Sequence, residues 1–541
     1  MDSDQEDELL LNNSETDNKP HDKVSLLPSQ AAKAPPADAD SLSRWHQSNH
    51  PQHLKQNGYY TAGDVIEYIG VCAHQYELLF LLCATALVHG MDTTFFTFVP
   101  MYAGCNFNLS LVEQTLVSVI YLAGLFCGSL AFGFISDVAG RKLSLVAATT
   151  LLVVVSSLVL FTYTSTLLLI FRFVSGFAIG GMNIRTTWMF ESLPIRRHQE
   201  ALLTMVTLWQ VGMMIEIPLL LLAGRRWPWL VIGIHLPLLI ILNFLLLASE
   251  SPRFLGEQRL FDDAYSVLAK FAQRRQIALP QVNLITEAEK SALERRKKQE
   301  GDEPDGSVQE QLAEVEEKDE TFISEMLRKG DRRKTTLLLG VTWFTMYFCF
   351  FGHHLATVEW FELLRERREM KVTNMFMWHN ALMPCVVFGW KDFLALVLVS
   401  VCALPGVLFF LTLMKRSGRR KAMWITALSA SATVLPLAFV PQLGRIGTTV
   451  VLSAQRAAVS ATIQILLVYT AEVYPTHLRS FANGSLLAFG LLGAMMSPWA
   501  ATLLLQNATI LGTVTFGAAF IVAGLASYNL PLESHGQLLE D

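Results

Sequence analysis

The chain has 541 residues, 52% of them hydrophobic and only 16% charged, with a formal net charge of -5 and a mean hydropathy of +0.37. Soluble chains carry about a quarter charged residues, so lipid is the expected solvent for most of this one. The negative charge sits in an acidic start and a mixed-charge middle segment, and without a basic, aromatic-studded patch no nucleic-acid partner is expected.

The first seventy or so residues open on an acidic run, Asp2 to Glu8, and continue through a Pro/Ala/Asp-rich stretch to Asp40. A signal peptide would start basic and turn apolar, so none is expected. The composition is that of a disordered cytosolic tail. Two acidic dileucine patterns, Glu6 with Leu10 and Leu11 and Asp22 with Leu26 and Leu27, make a sorting adaptor a candidate partner. They set a vesicle or endosomal membrane beside the plasma membrane as destinations.

A hydrocarbon core of about 30 Å takes about 20 apolar residues of helix. Six such runs are predicted at about 79–103, 112–135, 143–163, 166–190, 201–223 and 228–248. A charged segment follows from Glu250 to about Lys334, carrying an amphipathic stretch with Phe261, Ala264, Val267, Leu268 and Phe271 on one face. Six more runs lie at about 335–356, 392–414, 421–441, 447–471, 481–505 and 508–530. The expected organisation is a tail and pre-helix segment (1–75), a six-helix bundle (76–249), a cytosolic linker (250–334), a second bundle (335–530) and a short cytosolic tail (531–541).

Arg141, Lys142, Arg196, Arg197, Lys415, Arg416, Arg419, Arg420 and Lys421 fall on one side, which the positive-inside rule makes the cytosol. Both termini are then cytosolic. The sequons at Asn108 and Asn507 land outside, where glycans can be added, while those at Asn12 and Asn483 stay bare. Most cysteines lie in or beside apolar runs; only Cys105 and Cys385 fall in predicted outer loops, and spacing leaves their pairing open.

Two loop motifs repeat at nearly one offset. Gly133 to Lys142, with Asp137, Gly140 and Arg141, follows the second predicted helix; Lys415 to Arg420, with Gly418 and Arg419, follows the eighth, and the glycines stand 278 positions apart. Glu191 to Pro194 ends the fourth helix and Glu472 to Pro475 the tenth, 281 positions apart. Two unrelated motifs sharing an offset indicate a duplicated six-helix unit. Asp137, Gly140, Arg141, Lys142, Glu191, Gly418, Arg419, Glu472 and Arg479 are candidate gating residues: glycine lets helices approach, and charge pairs hold one state closed. Simple topology anchoring by the basic residues is the alternative.

At these residues the chain resembles the major facilitator superfamily, whose loop signature reads G-x-x-x-D-R-x-G-R-[RK]. Val138 replaces the motif arginine in the first copy and Lys415 the aspartate in the second. More narrowly it resembles the branch of synaptic vesicle glycoproteins, their vesicle-related relatives and organic ion transporters, over Tyr59 to Gly70, Glu250 to Phe254, Thr335 to Gly352, Glu472 to Arg479 and Pro531 to Gly536. The resemblance implies an all-α membrane protein of about twelve transmembrane helices in two six-helix bundles, with helices one, four, seven and ten around a central cavity. In the vesicle relatives a D-G-x-E element resembles His89-Gly90-Met91-Asp92. The organic ion transporters place a charge in helix eleven where this chain has Leu491.

An ionisable side chain at mid-membrane costs roughly 2.5 to 3.5 kcal/mol on insertion scales, so one that persists faces a cavity or a partner. His89 and Asp92 are three apart and share a helix face. Arg172 and Arg185 lie in helix four, Trp209, Gln210 and Glu216 in helix five, Arg456 in helix ten, and Trp343, Tyr347, His353 and His354 in helix seven. His89, Asp92, Arg185, Trp209, Gln210, Glu216, Trp343 and Tyr347 form the candidate substrate site, with Arg185 paired to Asp92 or Glu216. An acid beside a histidine can load a proton near neutrality. A lumen two pH units more acidic supplies roughly 2.7 kcal/mol per proton, at about 1.36 kcal/mol per unit. In the bland alternative, His89 and Asp92 only satisfy each other.

The leading reading is a secondary active transporter of a small organic solute, an organic ion among the choices, working by alternating access with proton coupling open. The competing one is a transport-inactive vesicle protein acting in trafficking or as a receptor. No phosphate-binding loop, H-E-x-x-H, cysteine cluster or nucleophile elbow occurs, so no enzyme activity, cofactor or metal is expected.

Overall fold

The computed structural model describes residues 58–223, 227–290, 293, 326–327, 330–370, 390–474 and 476–532. The tail with its dileucine patterns, most of the charged run after Lys290, Cys385, Pro475 and the last nine residues lie outside the described residues.

Among the described residues, twelve helices are long and apolar enough to cross a membrane: Ala73–Gly104, Leu111–Ala139, Arg141–Phe161, Ser165–Ser192, Ile195–Leu220 and Trp229–Leu247, then Asp331–Leu364, Trp390–Phe409, Arg419–Phe439, Gln442–Thr470, Phe481–Asn507 and Thr509–Tyr528. They are spans 1 to 12 in that order. Phe80, Phe134, Leu247, Phe409 and Ile446 are largely exposed on them. In water such surface drives aggregation; in lipid it is solvated, and the chain is a multi-pass membrane protein. Span 7 outruns its predicted end at 356 because the helix continues through Met370 after the apolar run stops.

Glycine decides how close the spans come. In span 2 a Cβ on Gly124 would lie 2.1 Å from the Phe173 carbonyl oxygen, and one on Gly128 would lie 2.0 Å from that of Phe177. Span 4 answers with Gly176 and Gly180, whose Cβ atoms would meet the Tyr121 and Leu125 carbonyl oxygens at 2.0 and 2.4 Å. Two facing small-xxx-small stripes let the backbones touch, the main route to tight helix packing where apolar burial offers no gain. Gly90 in span 1 and Gly212 in span 5 pack the same way against Trp209 and Leu87.

The segment read from sequence as a linker is folded from Glu250 to Lys290. Helix α1 (Ala62–Ile69) precedes span 1, and α2 (Pro252–Glu257) and α3 (Phe261–Arg275) follow span 6. Strand β1 (Tyr59–Tyr60) pairs in parallel with β2 (Asn283–Leu284). The amphipathic face of α3, through Ala264, Val267, Leu268 and Phe271, packs against Val65, Ile66 and Ile69 of α1. Lys290 Nζ closes the layer at 2.8 Å from Asp64 Oδ1.

Candidate functional site

Span 4 contains two helices, Ser165–Gly181 and Ile184–Ser192. Consecutive Gly180 and Gly181 weaken the helix where it breaks. The Met182 carbonyl there accepts from the Arg185 backbone N–H at 3.3 Å and from Arg185 Nη1 at 2.8 Å. Arg185 Nη2 lies 2.6 Å from His89 Nδ1 in span 1. A guanidinium only donates, so His89 accepts through Nδ1 and carries its proton on Nε2.

This corrects the expected pairing of Arg185 with Asp92 or Glu216. A step of three residues turns Asp92 about 60° around the helix from His89, toward spans 2 and 6. Asp92 is 1% exposed. Tyr121 Oη in span 2 donates to Asp92 Oδ2, and His235 Nε2 in span 6 stands 3.5 Å from Oδ1. His235 Nδ1 donates to the Val231 carbonyl at 2.8 Å. With Nδ1 committed as donor, Nε2 and the carboxylate attract each other only when a proton lies between them. Arg172 lies over the Tyr121 ring at 4.3 Å, within electrostatic reach of Asp92. Glu216 is fully buried, and neither carboxyl oxygen is hydrogen-bonded among the described residues.

Spans 7 and 10 repeat the pairing of spans 1 and 4. His354 Nδ1 donates to the Phe350 carbonyl at 2.7 Å, which leaves Nε2 to accept from Arg456 Nη1. Its neighbour His353 is buried, and neither ring nitrogen has a hydrogen-bond partner among the described residues.

Aromatic rings join the two bundles between these pairs. Trp209 stacks on Phe350 at 5.5 Å; the His89 ring lies 6.1 Å from Trp209 and the His354 ring 4.3 Å from Phe350. Phe96 stacks on Tyr121 at 5.0 Å and meets Phe351 edge-on at 5.9 Å. Trp343 stacks on Tyr347 at 5.2 Å, but its Nε1 donates to Thr470 at 3.0 Å, so its polar tip is committed inside the second bundle. Gln210 is buried, its Nε2 without a hydrogen-bond partner among the described residues.

The candidate gating residues gather in two matching clusters on one face. Arg141 Nη2 lies 2.8 Å from Glu191 Oε1 and Nη1 2.8 Å from Asp137 Oδ1, while Nη1 also donates to the Ser136 carbonyl at 2.6 Å. Glu250 accepts from the backbone N–H groups of Arg141 and Lys142 at 3.0 and 3.1 Å, capping span 3. Gly140 holds φ +101°, and a Cβ there would lie 2.5 Å from Glu250 Oε2. Gly418 repeats the turn at φ +87°, with Arg419 on Glu472. Val138 is 65% exposed, so the first cluster closes without the missing motif arginine. The Arg479 side chain lies outside the described residues.

On the opposite face Thr115 of span 2 and Thr502 of span 11 meet at 2.6 Å between hydroxyls. On the motif face a narrow cleft lies between span 5, with Gln199, Leu202 and Val206, and span 10, with Gln464 and Leu467.

Residues 81–454 match the profile of the Major Facilitator Superfamily. The chain belongs to this superfamily. It is 25% identical to the synaptic vesicle 2-related protein of Xenopus laevis over 88% of this chain and 82% of that one. It is likewise 25% identical to the organic cation/carnitine transporter 7 of Arabidopsis thaliana, over 84% and 91%. Its fold matches the partially occluded, inward-open xylose transporter XylE of E. coli with a TM-score of 0.63 at 16% identity, over 86% of this chain and 100% of that one.

Within this superfamily member, sequence reasoning did not single out Tyr121, His235, Phe96, Phe350 and Phe351, and it named Arg172, His354 and Arg456 without placing them in the site. His235 carried a readable signal, an ionisable group inside an apolar span. The phenylalanines carried none, since in a span they read as ordinary lipid or core residues.

Proposed function

We propose that this superfamily member is a secondary active transporter moving a small organic solute by alternating access, with a proton as coupling ion. The observation that carries the reading is the burial of Asp92, Arg185, Glu216 and Arg456 inside the spans, with half-buried His89 beside the Trp209–Phe350 contact between the bundles. Such groups persist in a membrane where they serve a pathway. Asp92, bridged to His235, and the unpartnered Glu216 are the acids available to carry the proton. Trp209 and Phe350 separate the motif-face cleft from the far-face seal. The Arg141–Glu191 and Arg419–Glu472 clusters hold each bundle rigid as it rocks. The motif face is cytosolic in this reading, with both termini on that side and a vesicle or endosomal membrane as the address, in keeping with the vesicle-related name of the Xenopus relative.

Purified protein in liposomes with an imposed pH gradient tests it. A solute panel should reveal uptake that dissipates the gradient, and Asp92→Asn should abolish the coupling. Folded protein that passes neither solute nor protons would instead be a transport-inactive vesicle protein, and the carrier reading would be lost.

A further inference from the structure

Several arginines that anchor structure in this fold face acids. Arg141 is matched by Asp137 and Glu191, Arg419 by Glu472, and Arg445 on the far face by Asp392 at 2.8 Å. Arg185 and Arg456 depart from that habit. They are 6% and 7% exposed, and among the described residues each meets an imidazole: His89 for Arg185, His354 for Arg456. A histidine accepting through one nitrogen satisfies an N–H without cancelling the charge. A buried cation without a counter-charge costs several kcal/mol, and an arriving anion relieves that cost.

One run of rings joins the two pairs. His89 lies beside Trp209, His354 beside Phe350, and those two rings stack across the bundle interface. Among the described residues Arg185 Nε has no hydrogen-bond partner, nor do Ser460 Oγ and both amide atoms of Gln464 on span 10. From Arg456 to Ser460 and Gln464 is one turn and then another toward the motif face, about 12 Å in all, and Gln464 lines the cleft there. Spare polar groups therefore lead along span 10 from the cleft to the Arg456 guanidinium.

From this geometry we infer that the solute is an organic anion, its acidic group received by Arg185 and Arg456 and its apolar body by Trp209 and Phe350. The inference rests on the transport reading for what happens after binding, but binding itself is measurable apart from flux. The full chain in detergent is titrated by thermal unfolding with aromatic and aliphatic carboxylates, their neutral amides, and alkylammonium ions of matched size. Carboxylates should raise the melting temperature saturably and the other two classes should not. Arg185→Gln and Arg456→Gln should each weaken carboxylate binding about tenfold to hundredfold, as for a hydrogen bond to a charged group, with Arg185→Lys retaining more of it.

A second pair of variants guards against simple misfolding. His89→Asp and His354→Asp place a fixed carboxylate against each arginine; both should fold yet lose carboxylate binding. Amides or alkylammonium ions binding as well as carboxylates would overturn the inference. So would chloride or phosphate replacing every organic anion, or full carboxylate binding in either aspartate variant. Carboxylate binding without any flux would uphold the anion site and defeat the transport reading.

Discussion

Arg419 grips Glu472 through two parallel contacts, Nε to Oε2 at 2.8 Å and Nη2 to Oε1 at 2.9 Å. Arg141 holds Glu191 in the same manner, with Nε to Oε2 at 3.0 Å and Nη2 to Oε1 at 2.8 Å, and adds Asp137 and the Ser136 carbonyl. Planar forks of this kind are the strong form of the arginine–carboxylate pair. The Glu191 side chain is 16% exposed against 28% for Glu472. Removing Arg141 therefore strands the more buried acid.

Arg141→Gln should destabilise by about 3 to 5 kcal/mol, the cost of breaking a buried pair. Arg419→Gln should cost less, about 1 to 3 kcal/mol. Thermal unfolding of the two variants in one detergent gives the order directly. If the Arg419 variant melts first, the burial argument fails.

The glycine stripes allow an internally controlled test. Gly128→Ala puts a methyl 2.0 Å from the Phe177 carbonyl oxygen, whereas at Gly133, five residues on in the same span, a Cβ meets nothing within 4 Å. Gly128→Ala should lose about 1 to 3 kcal/mol from overpacking. Gly133→Ala should be neutral, or stabilising by about 0.5 to 1 kcal/mol through helix propensity. Size-exclusion profiles and melting curves report both, and equal behaviour would mean that spans 2 and 4 do not touch as described.

Orientation is testable through glycans. Asn108 ends span 1 in a left-handed turn at φ 53°, and both it and Asn507 are exposed on the face opposite the motif clusters. Expressed in a secretory-pathway host, the protein should shift in mobility on deglycosylation. Asn108→Gln and Asn507→Gln should each remove part of that shift, and Asn483→Gln should remove none. A shift surviving in the Asn108/Asn507 double variant would place the lumen on the other side.

What could be read in advance divides along a physical line. Span number follows from run length, because lipid thickness sets one length for all helices. The matching motif clusters follow from the repeat offset, because each half of the chain carries its own copy of both motifs. Neither argument reaches across helices: His89 and Asp92 share a face in sequence, yet one meets span 4 and the other meets spans 2 and 6. His235 sits in the span of highest hydropathy, 2.6, where apolar residues all round hide which side faces the bundle. The layer on the motif face pairs Tyr59 with Asn283, and only the amphipathic face of α3 announced it. Two-residue strands so far apart carry no local signal.

The far-face seal provides the most direct test of alternating access. Thr115 and Thr502 belong to different bundles and touch at 2.6 Å between hydroxyls, so a carrier that opens this face must part them in every cycle. Replacing both, Thr115→Cys with Thr502→Cys, sets two sulfurs where the hydroxyls now meet, close enough for a bond of about 2.05 Å after a small rotamer adjustment. Mild oxidation should cross-link the double variant and reduce solute-driven proton flux in liposomes to background, and reductant should restore it. Either single variant should ignore the oxidant. Full flux through completely cross-linked protein would mean that the bundles never separate here, and the rocking of one bundle against the other would have to be abandoned.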